Sequence, residues 1–427
     1  MRVRRLNFTN SFETFLYLKT SGYPVKLFLD SANPNTKTGR YSIICVGVED
    51  EIVLKDDKTA LSKLYKFYSS KCKFIVPELP FGIYGYISYD VNRFIENIPT
   101  PPINDLSMPD IHFILPYQTL IFDNLKSECY QVSFGEFIEI PESFSLPSLS
   151  FQSTFYRTNM EKDYFVWAVN RIKDYIASGD SFQVNFSQRL DVLFEGSHLE
   201  LYRRLREINP SPFSFYFELG NFTAVSCSPE RLVRVKNGIV ETRPIAGTRR
   251  RGKSKQEDVE LEKELFLSEK ERAEHIMLVD LERNDLGRIC EYGSVEVNEL
   301  MVPERYSHVI HIVSNVRGIL KRKVSPVDVL RALFPGGTIT GAPKVRTMEI
   351  ISELEPTRRA LYTGSVGYMA FNGDMDFNIV IRTLLFKENL GTLQVGAGIV
   401  WDSDPSMEYE ETLHKGRALL ESLGIRL

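Results

Sequence analysis

The chain has 427 residues, and 43% of them are hydrophobic and 12% aromatic, which is enough to fill a substantial folded core. Lysine and arginine together number 52 against 56 aspartate and glutamate residues, so the net charge is -4. A chain with this balance has no overall basic field to hold a nucleic-acid backbone, and we expect a small-molecule substrate and no nucleic-acid partner.

Cysteine spacing and hydropathy predict a cytoplasmic protein. The five cysteines are widely scattered, without the Cys-x-x-Cys pairs typical of zinc sites and redox couples. The N-terminus is basic, but Asn7-Phe-Thr-Asn-Ser11 interrupts it before an apolar signal region can form. No stretch approaches the ~18 apolar residues that span a bilayer. We therefore expect reduced thiols, no secretion and no membrane association.

The first part of the chain, to about residue 150, is predicted to be rich in strands. Short apolar runs such as Val25–Leu29, Tyr41–Ile44 and Phe81–Tyr86 are separated by Pro, Gly and Asn turns. The stretch from Pro141 to Ser153 has neither the helix nor the strand period, which is typical of a linker. We interpret residues 1–150 as an N-terminal domain.

The second part, residues 155–427, is predicted to be the catalytic domain. Tyr164 to Ala177 has the period of a helix, and strands and helices alternate from there to the C-terminus. The pattern predicts an α+β fold, with mixed or antiparallel sheets packed as a core and helices outside.

Two pairs of glutamates have helical spacing. Glu271 and Glu274 share a face of a helix predicted to begin at Ser268, and Glu408 and Glu411 share a face of one predicted to begin at Asp404. Four carboxylates are ligands that suit Mg²⁺, if the two pairs meet in space. The alternative is two ordinary charged helix surfaces, which is the commoner role of a single pair.

Two glycine clusters offer backbone amides to an anionic ligand. Phe334–Lys344 contains three glycines within six residues, and a second cluster is Val395–Gly398. Neither has the order of a P-loop. Plain tight turns are the alternative for both.

Arg382 lies in the apolar run Ile379–Leu385, which is predicted to be a strand. An unpaired guanidinium is costly in such a place, so Arg382 needs an anionic partner. That partner is either a structural carboxylate or a carboxylate of the substrate.

Two histidines belong to another predicted strand, Tyr306–Val313. The strand period places His308 and His311 on opposite faces. One of them can serve as a general acid, and the alternative for either is an ordinary core or surface histidine.

Taken together, these elements resemble the chorismate-utilising enzymes, a family that includes the large subunits of anthranilate synthase and aminodeoxychorismate synthase. The resemblance covers roughly residues 155–427, and residues 26–44 also look like the family's N-terminal domain. Its motifs are Arg243-Pro-Ile-Ala-Gly-Thr248, Glu274 to Asp285, Tyr306 to His311, Gly341-Ala-Pro-Lys344, Asp374 to Asn378 and Ile381-Arg-Thr383.

The resemblance implies a magnesium site and a set of catalytic residues. Glu274 and Glu411 are implied to coordinate Mg²⁺, with Glu271 and Glu408 as further or water-mediated ligands, and the metal to hold the ring carboxylate of chorismate. The candidate catalytic residues are His311, near the departing C4 hydroxyl, Thr338, Gln183 and Glu274. The positions matching those that bind the two substrate carboxylates are Tyr362, Arg382, Gly396, Ala397, Gly398 and Lys415.

Gln183 favours an aminating member of the family. It occupies the position at which isochorismate-type enzymes have a lysine base, and an amide cannot deprotonate water. Ammonia is already a nucleophile and needs no such base. A separate glutamine amidotransferase subunit is the implied partner, because no cysteine of this chain lies in a Gly-x-Cys-x-Gly elbow.

Two motifs and one residue indicate which amination reaction to expect. Gln183-Val-Asn185 and Met375-Asp-Phe-Asn378 look more like the aminodeoxychorismate synthases, which make 4-amino-4-deoxychorismate for 4-aminobenzoate and folate. Ala246, counted among the substrate-binding positions, stands where many of those enzymes carry a nucleophilic lysine, and in this it is similar to anthranilate synthases. We predict the first activity, with the production of anthranilate and pyruvate for tryptophan as the alternative.

One further segment resembles a regulatory pocket. Asn209–Phe213 and Ser31 are similar to the tryptophan-binding pocket of anthranilate synthases. A turn in a structural core is an equal interpretation of the same residues.

Overall fold

A computed structural model describes residues 1–33, 37–141, 144–145, 147–305 and 309–425. The strands are β1 (Arg2–Leu6), β2 (Val25–Asp30), β3 (Tyr41–Val46), β4 (Asp50–Leu54), β5 (Gly82–Ile87), β6 (Ile111–Leu115), β7 (Gln118–Asp123), β8 (Glu128–Ser133), β9 (Phe151–Thr158), β10 (Gln183–Gly196), β11 (Phe213–Leu219), β12 (Phe222–Ser228), β13 (Arg231–Lys236), β14 (Ile239–Thr242), β15 (Ile245–Arg250), β16 (Glu296–Arg305), β17 (Val309–Ile319), β18 (Gly341–Ala342), β19 (Ser365–Ala370), β20 (Met375–Asn378), β21 (Thr383–Lys387) and β22 (Leu390–Ile399). The helices are α1 (Ser11–Thr20), α2 (Ala60–Lys71), α3 (Asn92–Ile95), α4 (Lys162–Ala177), α5 (His198–Ile208), α6 (Lys255–Leu267), α7 (Glu269–Ile289), α8 (Pro326–Leu333), α9 (Lys344–Leu354) and α10 (Pro405–Ser422), with short 3₁₀ turns at Cys72–Phe74, Tyr89–Val91 and Gly337–Ile339.

The strands form two sheets. The larger has 12 strands in the order β1-β8-β7-β3-β2-β11-β12-β21-β22-β10-β18, with β9 also paired to β10. The smaller has 10 strands in the order β15-β17-β14-β13-β20-β19-β5-β6-β4, with β16 also paired to β17. Neighbouring strands run antiparallel, as in the pairing of β10 with β22 and of β5 with β19. The predicted α+β class with antiparallel sheets is confirmed.

The main hydrophobic core lies between the two sheets. Tyr86 of the smaller sheet stacks on Phe217 of the larger, with ring centroids 5.5 Å apart. The larger sheet also has apolar residues on its other face, which points away from this core. Helices cover that face. Side chains of α1, α5 and α10, including Phe15, Tyr202 and Leu419, form that second core. A third core joins α4 and α9 to β10 and β22.

Each sheet contains one block of strands from before residue 150 and one block from after it, and the two blocks meet at a single pair of strands. Phe28 of β2 pairs with Tyr216 of β11, and Gly85 of β5 pairs with Gly367 of β19. Both sheets are therefore built by both predicted segments. The division of the sequence into 1–150 and 155–427 stays a prediction.

Sequence patterns predicted helices α4, α7 and α10 correctly and one strand wrongly. The helix predicted for Tyr164–Ala177 is α4, and the helices predicted to begin at Ser268 and Asp404 are α7 and α10, whose N-termini these two side chains cap. The run Ile379–Leu385 is not one strand: β20 ends before it and β21 begins at Thr383. The run is apolar because it is buried; Ile379, for example, is 3% exposed. A short apolar run does not show whether the backbone is a strand or irregular.

The described part of the chain contains no helix long and apolar enough to cross a membrane.

Candidate active site

A cavity of about 220 Å³ opens between the two sheets, where β10 and β22 of one approach β15 and β17 of the other. Six of the predicted site residues line it: His311, Thr338, Tyr362, Arg382, Gly396 and Lys415. The remaining predicted residues do not line it: Gln183, Ala246, Ala397, Gly398, Glu271, Glu274, Glu408 and Glu411. Residues 306–308, which include His308, lie outside the described residues.

Arg382 gives the cavity a cation. Its backbone has a left-handed φ of 51° between β20 and β21, and its carbonyl accepts a hydrogen bond of 3.1 Å from the Cys227 N–H. Among the described residues no carboxylate forms an ion pair with its guanidinium within 4.0 Å. Both partners predicted for Arg382 are available here: the carboxyl of Glu230, whose pKa the charge of Arg382 lowers, and an anion that enters the cavity.

Lys415 of α10 gives the cavity a second cation. Its Nζ donates to the Gly396 carbonyl oxygen at 3.2 Å and forms an ion pair of 2.7 Å with Glu411. The side chain is 48% exposed, so this pair exchanges readily with solvent or a ligand. The cavity is therefore suited to a small substrate that carries more than one negative charge.

Glu230, which sequence analysis did not single out, is the buried acid of the cavity. It follows β12 and accepts a hydrogen bond of 2.7 Å from the Thr338 hydroxyl. Burial raises the pKa of Glu230 to about 7, although the Thr338 bond and the charge of Arg382 lower it. The carboxyl is thus poised to give or take a proton near neutral pH. The available signal was a glutamate that follows the strand-like run 222–228 after a single proline, Pro229.

His311 is neutral at pH 7. Burial lowers its pKa to about 4, and a hydrogen bond to the Gly247 carbonyl opposes that shift. Nδ1 lies 3.1 Å from the Gly247 carbonyl oxygen, which can only accept a hydrogen bond, and 3.0 Å from the Thr248 hydroxyl, which can donate or accept one. The Gly247 contact favours the tautomer with the proton on Nδ1, in which Nε2 is an acceptor. His311 is therefore suited to accept a hydrogen bond, and Glu230 is the better proton donor.

The glycines of β22 leave room for polar side chains of β10. A Cβ added at Gly396 would lie 2.7 Å from Asn185 Oδ1 and 2.8 Å from Tyr362 Oη. A Cβ at Gly398 would collide with the Gln183 amide. The cluster predicted as a turn or an anion loop is thus part of a strand, and its glycines shape the wall of the cavity.

The four predicted metal ligands share one region beside Lys415. Burial raises the pKa of Glu274, Lys270 lowers it, and the charges of Glu271, Glu408 and Glu411 raise it further. The four carboxylates therefore repel one another, and a divalent cation would offset their negative charge.

Each of the other three carboxylates has a partner within the chain. Glu271 pairs with Arg249 at 3.2 Å, Glu411 with Lys415, and Glu408 accepts a hydrogen bond from Ser403. No three His, Cys, Asp or Glu side chains in the described ranges stand close enough to hold a metal as they are. The donor chemistry of the four carboxylates fits Mg²⁺.

A second buried acid lies behind the turn that carries Thr338. Glu282 of α7 packs against Gly337, and burial together with the charge of Asp285 raises its pKa to about 8. Lys344 pairs with Asp285 and lowers the pKa of Glu282.

Replacing Glu282 with glutamine should make stability less dependent on pH. The folded protein holds the Glu282 proton up to about pH 8, whereas the unfolded chain releases it near 4.5, so the wild type loses stability as pH rises through this window. We expect the Glu282→Gln variant to match the wild type at pH 5 and to exceed it at pH 9 by roughly 2 kcal/mol or more, since one pKa unit corresponds to about 1.4 kcal/mol. Urea unfolding at both pH values measures this, and identical curves for the two proteins would contradict it.

A separate cavity of about 90 Å³ lies nearby between the sheets. Ser31, Pro212 and Phe213 line it together with Arg231 and Tyr368. Of the residues predicted either to bind a ligand or to form a structural turn, Ser31, Pro212 and Phe213 are brought together here and Asn209, Pro210 and Ser211 do not line the cavity, so both interpretations remain.

Comparison with known proteins identifies relatives over almost the whole chain. The model of the family described as chorismate binding enzyme matches residues 26–421. The chain is 44% identical over 408 residues to aminodeoxychorismate synthase component 1 of Bacillus subtilis strain 168, covering 91% of this chain and 87% of that protein. It is 43% identical over 375 residues to anthranilate synthase component 1 of Acetivibrio thermocellus, covering 82% and 76%. The crystal structure of anthranilate synthase component I from Streptococcus pneumoniae TIGR4 superposes with a TM-score of 0.76 at 34% identity, covering 89% of this chain and 92% of that one.

Proposed function

This chain belongs to the chorismate-binding enzyme family, and from that premise we propose that it aminates chorismate to 4-amino-4-deoxychorismate, with ammonia as the nucleophile. The observation that carries the proposal is the buried Glu230 carboxyl, bonded to Thr338 and lining the same cavity as Arg382. A proton donor beside a cation suits a dianion that must lose a hydroxyl group.

Chorismate binding rests on the two cations of the cavity. Arg382 and Lys415 offset the charge of the two carboxylates, and the Tyr362 hydroxyl and the backbone beside Gly396 add hydrogen-bonding groups. Ala397 and Gly398 act indirectly, since they lie in the strand behind the cavity wall.

Departure of the C4 hydroxyl needs a proton, because hydroxide is a poor leaving group. Glu230 donates it in its protonated form, and Thr338 fixes the carboxyl through their 2.7 Å bond. His311 accepts a hydrogen bond through Nε2 and helps to orient the reacting groups.

Mg²⁺ is the proposed cofactor, held by Glu274 and Glu411 with Glu271 and Glu408 as further or water-mediated ligands. When bound, the ion supplies positive charge that neutralises and orients the ring carboxylate. Release of Lys415 from Glu411 would at the same time leave its ammonium group available to the substrate.

Ammonia attacks without help from a basic side chain. Gln183 stands where the isochorismate-forming relatives are expected to have a lysine base, and it keeps the start of β10 polar but uncharged. We propose that a glutamine amidotransferase supplies the ammonia, since related proteins carry the name component 1. The product would serve 4-aminobenzoate and folate synthesis in the cytoplasm.

Anthranilate synthase component I is the second candidate. The observation favouring it is Ala246 of β15, which offers no nucleophile for a covalent adduct. If the chain is an aminodeoxychorismate synthase, amination at C4 proceeds here without a lysyl intermediate.

The proposal is tested by incubating the purified chain with chorismate, ammonium and Mg²⁺ and determining the molecular mass of the product by mass spectrometry. We expect chorismate to disappear only when ammonium and Mg²⁺ are both present, with a product of the mass of aminodeoxychorismate. Chorismate that is consumed equally well without ammonium would contradict amination.

A further inference from the structure

We propose that the buried ion pair of Arg359 and Glu355 positions the active site, holding the turn that carries Thr338 against strand β10. The inference rests on the proposed function, because it assigns the pair a role in the amination that takes place in the cavity. Neither residue lines the cavity, so the pair acts through its neighbours.

Burying these two charges costs desolvation free energy, and the charges are hydrogen-bonded to each other. Both side chains are 1% exposed, and Arg359 donates to the Glu355 carboxylate at 2.9 Å from Nε and 2.7 Å from Nη2. A buried ion pair contributes little net stability compared with apolar side chains of similar volume. Its presence directly behind the cavity therefore calls for a role beyond stability.

Arg359 joins two walls of the cavity. Nη1 donates to the Ile339 carbonyl at 3.0 Å and Nη2 donates to the Asn185 carbonyl at 2.7 Å. Ile339 belongs to the 3₁₀ turn Gly337–Ile339 and Asn185 belongs to β10, and both residues line the cavity. One rigid guanidinium thus fixes the separation between these two elements.

The connection continues to the proton donor. Asn185 Nδ2 donates to the Thr338 carbonyl at 3.2 Å, and the Thr338 hydroxyl donates to Glu230 at 2.7 Å. A shift of Arg359 would therefore move the turn, the threonine and the carboxyl together.

Glu355 bonds to the same strand, β10, two residues further along the chain than Asn185. Its Oε1 accepts hydrogen bonds from the Ser187 N–H at 3.0 Å and from the Ser187 hydroxyl at 2.6 Å. Gln394, which lines the cavity, donates to that hydroxyl at 2.8 Å. The Arg359 guanidinium also lies over the ring of Tyr362, 5.5 Å from its centroid.

The test separates positioning from folding with a double variant, Glu355→Met with Arg359→Met. Removing both charges avoids an unpaired buried ion, so we expect a melting temperature close to that of the wild type. We expect kcat to fall about 100-fold, because a displacement near 1 Å is enough for such a loss. KM for chorismate should change little, since Arg382 and Lys415 are not bonded to the pair.

The control is a second buried ion pair, Arg189 and Asp191 of β10, whose further partners Asp105 and Arg157 are 33% and 51% exposed. It removes the two buried charges by Arg189→Met with Asp191→Leu. These side chains are 2% and 0% exposed and do not line the cavity, so kcat should stay within a few-fold of wild type. Equal losses of kcat in both double variants would overturn the inference.

A conservative single variant covers the case in which the double variant does not fold. Arg359→Lys keeps the charge beside Glu355 but cannot bond Ile339 and Asn185 at once, so we expect a folded protein with kcat lowered at least about 10-fold. A folded lysine variant with full kcat would refute the positioning role. A wild-type chain that makes no aminated product would instead refute the proposed function.

Discussion

Replacing Glu230 with glutamine is expected to lower kcat for chorismate amination by roughly 10²–10⁴-fold, the contribution of a well-placed general acid. Glutamine keeps the shape of the side chain and can accept the Thr338 hydrogen bond, but it cannot transfer a proton. KM for chorismate should change much less, because the proposed binding groups for its carboxylates, Arg382 and Lys415, are left in place. Steady-state kinetics at saturating ammonium and Mg²⁺ measure both parameters.

The pH dependence of kcat shows whether the lower kcat of the Glu230→Gln variant comes from the loss of proton transfer. The raised pKa of Glu230 means that the acid form is present below about pH 7 and is lost above it. Wild-type kcat, measured at constant free ammonia, should therefore fall as pH rises through this value, and the variant should lack that limb. Asp110→Asn is the control, a buried acid of raised pKa that does not line the cavity and whose loss should leave kcat nearly unchanged. A Glu230→Gln variant with wild-type kcat would eliminate Glu230 as the acid.

Replacing the proposed magnesium ligands gives the second large effect. We expect Glu274→Gln and Glu411→Gln each to lower kcat/KM by roughly 100-fold at a fixed Mg²⁺ concentration, because one charged donor of the site is lost. Excess Mg²⁺ should restore part of the activity if affinity is what has been lost. Chelation of the metal should abolish wild-type activity and leave the fold intact.

A control on the same helix excludes a general effect of charge. Glu410 of α10 is 53% exposed and pairs with Lys162, so Glu410→Gln should leave activity and Mg²⁺ binding unchanged. Isothermal titration of Mg²⁺ gives a readout that does not depend on catalysis. Unchanged Mg²⁺ affinity in the Glu274 and Glu411 variants would show that the metal binds elsewhere or not at all.

Part of the site could be predicted because its signals are local. Capping residues placed the starts of α7 and α10, and the spacing of three residues then put each glutamate pair on one helix face. The resemblance to a known family brought His311, Thr338 and Arg382 together, and they line one cavity.

The parts that were missed depend on contacts between distant segments. The burial of Glu230 comes from packing at the end of β12, and a single glutamate in the sequence does not reveal a raised pKa. Arg359 gave no sequence signal, since its bonds to Ile339 and Asn185 join residues 20 and 174 positions away. The break at Arg382 was hidden because a buried apolar run looks alike in a strand and in irregular backbone.

The amount of pyruvate released per chorismate consumed tests the central claim most directly. Aminodeoxychorismate keeps the enolpyruvyl side chain, so we expect chorismate to be consumed with no pyruvate released until a lyase that forms 4-aminobenzoate is added. One pyruvate for every chorismate in the absence of that lyase, with the fluorescence of anthranilate, would contradict the account and identify the chain as an anthranilate synthase component.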